Sequence, residues 1–236
     1  MAVIKAILFD LDQTLLDRTY SLRQFINWQV NFFQLVPQAK KSEFIEKFIQ
    51  LDANGTVWKD VVYRKLIQEF AIKTYTEQLL LRSYIQDFNK FCCSFADVDS
   101  VILKLHQAGY LLGLISNGQS PFQEHNFQAL GLAEFFSTVL VSEAVALRKP
   151  DAAIFHLACE KLKVQAEQCI FIGDNENADI RGANAVGMKS IFFNPDAKIV
   201  SADADANLND YANLWEIIQK IQSKGFISKI DIKPKC

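Results

Sequence analysis

Ala6, Ile7, Leu8 and Phe9 form an unbroken apolar run, the pattern of a strand buried on both faces of a parallel sheet. Past Leu16 the period lengthens. Leu22, Phe25, Ile26, Phe32, Phe33 and Val36 recur at helical spacing until Pro37 ends the run. A second helix carries Phe44, Ile45, Phe48 and Ile49. After Ala53-Asn54-Gly55 a third starts near Val57 with Trp58, Val61, Val62, Leu66 and Phe70, and a fourth carries Leu80, Leu81, Tyr84, Ile85, Phe88 and Phe91. Successive amphipathic helices with no strand between them predict an inserted four-helix bundle over 17–95. Strands and helices then alternate. Strands are predicted at 110–115, 138–141, 169–172 and 189–193, and helices at 98–107, 151–162, 178–186 and 211–221. Gly109 stops the first of these helices, residues 201–209 read as a loop, and the tail from Phe226 alternates too weakly to assign. The rhythm predicts an α/β fold, a parallel sheet with helices on both faces, built from residues 1–16 and 96–236.

Composition narrows the function classes. Half of the 236 residues are hydrophobic, so a sizeable core is available. Lys plus Arg number 25 against 27 Asp plus Glu, a net charge of −2 without a long basic run, which argues for a small-molecule partner and against a nucleic-acid polymer. No apolar run approaches the ~20 residues of a membrane span, and the opening residues do not read as a signal peptide. Five cysteines without CxxC spacing read as reduced thiols of a cytoplasmic protein, monomeric or homodimeric.

Chemistry gathers where the strands end. Asp10 and Asp12 project to one side if the chain stays extended, with Thr14 at the next step. An Asp after a strand is commonly a turn or cap residue, but two like charges together weaken that reading. The second strand runs into Ser116-Asn117-Gly118, the fourth into Gly173-Asp174 with Asp179 beyond, and Arg148-Lys149-Pro150 precedes a helix. Pro150 suits the first helical turn and holds Lys149 extended, out of the helix. Open α/β sheets bind ligands beyond these strand ends. Together the residues predict phosphoryl transfer through an acyl phosphate. A carboxylate facing a phosphate dianion needs cationic help, and Mg²⁺ suits a few carboxylates plus phosphate and water. Asp10, Asp174 and a backbone carbonyl near Asp12 are the expected metal ligands. Lys149 supplies fixed positive charge, Asp12 is left for proton work, and Ser116, Asn117, Lys149 and Thr14 are the candidate phosphate-binding positions.

Asp10-x-Asp12-x-Thr14, Ser116-Asn117-Gly118, Arg148-Lys149-Pro150 and Gly173-Asp174 followed by Asp179 closely resemble the four motifs of the haloacid dehalogenase superfamily, in an order similar to its branch with small all-helical caps. The resemblance implies a Rossmann-like core with the helical insertion as its cap. It further implies Asp10 as nucleophile, Asp12 as acid/base, Ser116 and Lys149 on the phosphoryl group, Asp174 on Mg²⁺, and Asp179 as partner of Lys149 or of a metal-bound water. True dehalogenases of that family lack an acid at the position of Asp12, so the resemblance points to a phosphatase, with a phosphomutase sharing the same residues. Asn175 departs from the commonest pattern, where a small hydroxyl residue follows the Asp. A receiver-like signalling domain keeps its accepting Asp on a later strand and has no cap, and a non-catalytic phosphate-binding protein is the other class of alternative. The implied substrate is a small phosphomonoester, a nucleoside monophosphate or phosphoglycolate. In that architecture specificity lies in the cap. The stripe of Trp58, Val61, Val62 and Leu66 leaves Lys59, Tyr63 and Arg64 off its centre, as candidate substrate-contacting positions.

Overall fold

Ala6, Ile7, Leu8 and Phe9 are wholly shielded from solvent because strand β1 (Ala6–Phe9) is paired along both of its edges. In the computed structural model, which describes residues 3–227, β1 pairs in parallel with β2 (Leu111–Ser116) on one side and β4 (Cys169–Gly173) on the other. Beyond β2 lies β3 (Phe136–Val141), and beyond β4 come β5 (Lys189–Phe193) and β6 (Ala206–Leu208). The six-stranded parallel sheet therefore has the order β3-β2-β1-β4-β5-β6, a Rossmann-like arrangement. Its direction of growth reverses at β1, and such a reversal opens a crevice at the carboxyl ends of the strands.

The chain divides into two compact units, Met1–Leu16 with Ser94–Cys236, and Asp17–Cys93. In the first, Ala6 and Leu8 join a core with Ile154, Phe155 and Ala158, while Phe9 on the alternate side packs its ring 6.0 Å from that of Phe136. The helices of this unit include α5 (Val98–Gln107), α6 (Phe122–Ala129), the single turn α7 (Ser142–Val145), α8 (Ala152–Leu162), the short α9 (Gly182–Ala185) and α10 (Leu214–Ile227). Here α1 (Arg18–Phe33), α2 (Lys41–Asp52), α3 (Lys59–Glu69) and α4 (Glu77–Asp87) belong to the second unit, where each packs on the next around Phe25, Phe44, Phe48, Tyr63 and Phe88.

Several sequence expectations need correction. The segment expected as a loop at 201–209 contains β6, a three-residue edge strand whose polar composition hid it; only its Leu208 is buried. Asp205 pins its approach by accepting from the Ser190 N–H and the Lys189 ammonium. The helix expected at 178–186 is a wide π-type turn, Glu176–Arg181, followed by α9. A tight turn, Tyr211–Asn213, precedes α10, and the tail beyond residue 227 lies outside the described residues. Pro150 is not in the first helical turn: Asp151 caps α8, accepting from the Ala153 N–H at 2.9 Å, so the proline precedes the cap.

The third helix of the insertion is also rotated from its expected phase. Trp58 is 63% exposed and stands before α3, whose buried residues are Lys59, Val62, Tyr63 and Leu66. That set is spaced i, i+3, i+4, i+7, one face of a helix. Counting Trp58 as the first apolar position placed the stripe one step out.

Candidate active site

The extended course expected from Asp10 to Thr14 gives way to a coiled loop. The Asp10 N–H still continues the sheet by donating to the Ile172 carbonyl at 2.9 Å. After that the chain folds back: the Leu16 N–H donates to the Leu11 carbonyl at 2.9 Å, and Gln13 takes a left-handed conformation with φ of 59°. Asp10 is buried at the end of β1, and Asp12 is carried out to a half-buried position. Thr14 turns inward and is wholly shielded, its hydroxyl without a hydrogen-bond partner, so it does not present that hydroxyl as the phosphate-binding expectation requires. Its carbonyl accepts from the Tyr211 hydroxyl at 3.0 Å, which braces the loop.

Lys149 enters this site from before α8. Its ammonium lies 2.6 Å from Asp10 Oδ1 and 2.7 Å from Asp179 Oδ1, and 5.2 Å from the centre of the Phe171 ring. Burial opposes its charge, but Asp10 and Asp179 outweigh it and raise the ammonium above the usual lysine range. Asn117, expected to touch phosphate, is committed elsewhere. Its amide donates to the Lys149 carbonyl at 2.9 Å and accepts from the Lys149 N–H at 3.0 Å, so it holds the lysine backbone in place.

Beyond β4 the backbone places Asp174 and Asp179 together. Gly173 is required by this closeness, since a Cβ there would fall 2.6 Å from the Asp179 Cβ and overlap its carboxyl group. Asp179 Oδ2 accepts from the Asn175 N–H at 3.0 Å. Asn175 has a local task of its own, its side-chain oxygen accepting from the Asn177 and Ala178 N–H groups and capping the π-type turn. Carboxylate oxygens of Asp10, Asp174 and Asp179 all lie within 4.8 Å of one another, the acidic group among the described residues able to hold a metal ion.

The electrostatics follow from this crowding. Burial chiefly, opposed by Lys149 and reinforced by Asp179 and Asp12, pushes the Asp10 carboxyl up to about 7. Burial, then Asp10 and Asp179, drives Asp174 well above the carboxylate range. One lysine does not balance the cluster, which is the charge deficit a hard divalent cation fills. Both oxygens of Asp179 are engaged, Oδ1 by Lys149 and Oδ2 by the Asn175 N–H, whereas Lys149 meets Asp10 through Oδ1 alone, so Asp10 and Asp174 are the carboxylates better placed as ligands, and an all-oxygen set fits a hard cation such as Mg²⁺ better than a thiophilic metal.

Ser116 closes β2, buried, and its Oγ accepts from Gln123 Nε2 at 2.9 Å. Gln123 also donates to Asp12 Oδ2 at 2.8 Å; no sequence signal marked it beyond a polar residue on the inner face of α6. In the helical unit, Tyr63 is fully buried and donates its hydroxyl to Gln29 Oε1 at 2.9 Å, so it is core and not a platform for a base. Lys59 is buried and paired with Asp52, which Arg18 grips at 2.8 and 3.0 Å. Arg64 is exposed and bonds Glu77 at 2.9 Å.

Comparison with known proteins agrees with this geometry. Residues 7–193 match the model of the haloacid dehalogenase-like hydrolase family. A phosphoglycolate phosphatase of Vibrio cholerae is 29% identical over 233 residues, 92% of this chain and 98% of that protein. A glyceraldehyde 3-phosphate phosphatase of Pyrococcus abyssi is 28% identical over 196 residues, 81% of this chain and 82% of that protein. Among solved structures, the HAD-hydrolase YfnB of Bacillus subtilis shares the fold with a TM-score of 0.74 at 23% identity, over 92% of this chain and 99% of that one. With its motif residues converging at the reversal point of a parallel sheet, and with that match spanning most of its length, the chain belongs to the haloacid dehalogenase-like hydrolase family.

Proposed function

We propose that this phosphatase is Mg²⁺-dependent and hydrolyses a small phosphomonoester through an aspartyl phosphate on Asp10. The observation that carries the reading is Lys149 set between Asp10 and Asp179, beside Asp174, at the carboxyl ends of β1 and β4. Asp10 is the nucleophile, attacking phosphorus as the ester oxygen leaves. Asp12 protonates that oxygen and then takes a proton from the water that cleaves the acyl phosphate. Lys149 and the Ser116 hydroxyl face the phosphoryl oxygens and stabilise the charge that spreads over them. Asp179 holds the Lys149 ammonium in place, and Asn117 fixes its backbone. Asp10 and Asp174 would hold Mg²⁺, which supplies the positive charge that lets a carboxylate approach a phosphate dianion.

The similar proteins from Vibrio and Pyrococcus carry names for two- and three-carbon monophosphates. Tyr63, the aromatic expected to stack on a base, is enclosed in the helical core. The substrate class we favour is therefore a short-chain phosphate bearing a carboxylate or carbonyl group. The described cysteines Cys92, Cys93, Cys159 and Cys169 are all free thiols, which supports a reducing, cytoplasmic setting.

A screen of phosphoglycolate, glyceraldehyde 3-phosphate, sugar phosphates and nucleoside monophosphates, with Mg²⁺ and with excess chelator, tests the reading. Rapid quenching followed by mass spectrometry should find one phosphoryl group on the peptide containing Asp10. Asp10→Asn should remove both turnover and adduct, and turnover surviving in that variant would reject the mechanism.

A further inference from the structure

Gln123 sits in the first turn of α6 with its side chain buried, and its amide joins two loops of the active site. Nε2 donates to Asp12 Oδ2 at 2.8 Å and to Ser116 Oγ at 2.9 Å. A primary amide has two N–H donors, so both are spent. Oε1 accepts from Asn126 Nδ2 at 3.2 Å, one turn further along the helix. That contact sets the orientation of the amide: its oxygen meets a donor on α6, and its nitrogen faces the carboxylate and the hydroxyl. Gly118 makes the space, since a Cβ at that position would lie 2.5 Å from Gln123 Cγ.

Resting on the phosphatase reading, we propose that Gln123 is a positioning residue that holds Asp12 and Ser116 in their reactive orientations. An N–H directed at Ser116 Oγ occupies a lone pair of that oxygen and leaves the serine proton to be donated, as a phosphoryl oxygen requires. The same amide pins one oxygen of Asp12 and so fixes the rotamer from which the carboxyl group moves its proton. The glycine of Ser116-Asn117-Gly118 acquires a physical reason: it is the gap through which the Gln123 stem passes.

Gln123→Met keeps the length of the side chain and removes both donors. Its kcat should fall about 10–100-fold with an alkyl phosphate, the scale of a mispositioned catalytic group, and several-fold less with p-nitrophenyl phosphate, whose leaving group needs no proton. In an Asp12→Asn background the same substitution should cost much less on the alkyl ester, because the group it positions is already gone. Gly118→Ala should reproduce the leaving-group dependence by displacing Gln123, and should cost less beside Gln123→Ala, where the clash is absent. Crystal structures of the full chain and of Gln123→Met supply a readout independent of turnover: Asp12 and Ser116 should leave their wild-type rotamers. Unmoved rotamers, or equal losses with both esters, would overturn the proposal. If the rotamers move but the wild-type protein hydrolyses no phosphomonoester, the phosphatase reading fails and the positioning role stands.

Discussion

Lys149 donates to Asp10 Oδ1 across 2.6 Å, although 139 positions separate the two in the chain. Both are buried, and a buried carboxylate that loses its partner costs ~3–5 kcal/mol. Lys149→Met should therefore destabilise the fold by about that amount at pH 8, measured by urea unfolding, and abolish turnover. The cost should shrink at pH 5, where the Asp10 carboxyl, pushed up to about 7, carries a proton and less charge is left uncompensated. An equal penalty at both pH values would mean that the lysine matters for packing and not for charge.

The raised Asp10 gives a pH dependence of opposite sign to a surface salt bridge. Burial chiefly moves its carboxyl from 3.8 to about 7. Between those values the folded protein keeps a proton that the unfolded chain has released. Stability then falls as pH rises through that window, by an amount on the order of 4 kcal/mol from this group alone. Mg²⁺ needs the deprotonated carboxylates, so its stabilising effect should grow over the same window. Thermal melts in chelator should drop from pH 5 to pH 8. Added Mg²⁺ should raise the midpoint at pH 8 and barely at pH 5. A metal shift of the same size at both values would show that the ion binds somewhere other than the cluster of Asp10 and Asp174.

Sequence periodicity reveals those elements whose burial follows one simple pattern. β1 and β4 are apolar runs buried on both faces, β5 ends in the buried run Ile191-Phe192-Phe193, and α5 has one clean stripe ended by Gly109 with φ of 85°. β6 escapes because an edge strand of Ala206, Asn207 and Leu208 buries so little. Within the site, charged residues at strand ends are legible by type: Asp10, Asp174, Asp179 and Lys149 meet where the motifs place them. Polar residues that serve other polar residues are not. Asn117 reads like a phosphate ligand but holds the Lys149 backbone, Thr14 turns inward when the loop coils, and Gln123 looks like any helical glutamine. Those roles depend on which side chain completes which hydrogen bond in three dimensions, and spacing does not carry that information.

Asp12 offers a test that separates the two aspartates of the first loop. If it moves the leaving-group proton, Asp12→Asn should slow hydrolysis of alkyl phosphates by ~10²–10⁴ and of nitrophenyl phosphates far less. Pre-steady-state kinetics should locate the residual loss with the nitrophenyl ester in breakdown of the aspartyl phosphate, where the water still has to give up a proton. The same loss for every leaving group would show that Asp12 acts on charge or fold alone.

The helical unit holds a charged cluster of its own, and its energetics contrast with those of a nearby surface pair. Asp52, buried, receives Arg18 Nη1 at 2.8 Å, Arg18 Nη2 at 3.0 Å, the Lys59 ammonium, and the Gly55 N–H at 2.9 Å. Burial pulls its carboxyl upward, but the Arg18 and Lys59 charges and hydrogen bonds outweigh it and hold the group below the ordinary range. A depressed carboxyl contributes stability above its unfolded value of 3.8, and that contribution is lost as pH falls through the lower folded one. Asp52→Asn keeps the shape and leaves two buried cations facing a neutral amide, so it should cost ~3–5 kcal/mol at pH 7, measured by urea unfolding. Arg64, on α3 with Lys59, is exposed, bonded to Glu77 at 2.9 Å and to Asp60 at 3.5 Å, an arrangement that water and salt screen. Arg64→Ala should leave the unfolding midpoint almost unchanged, and should act evenly on all substrates if the arginine is only a solvated ion-pair partner. A change in preference between phosphoglycolate and p-nitrophenyl phosphate in Arg64→Ala, with no change in stability, would instead return the residue to substrate recognition.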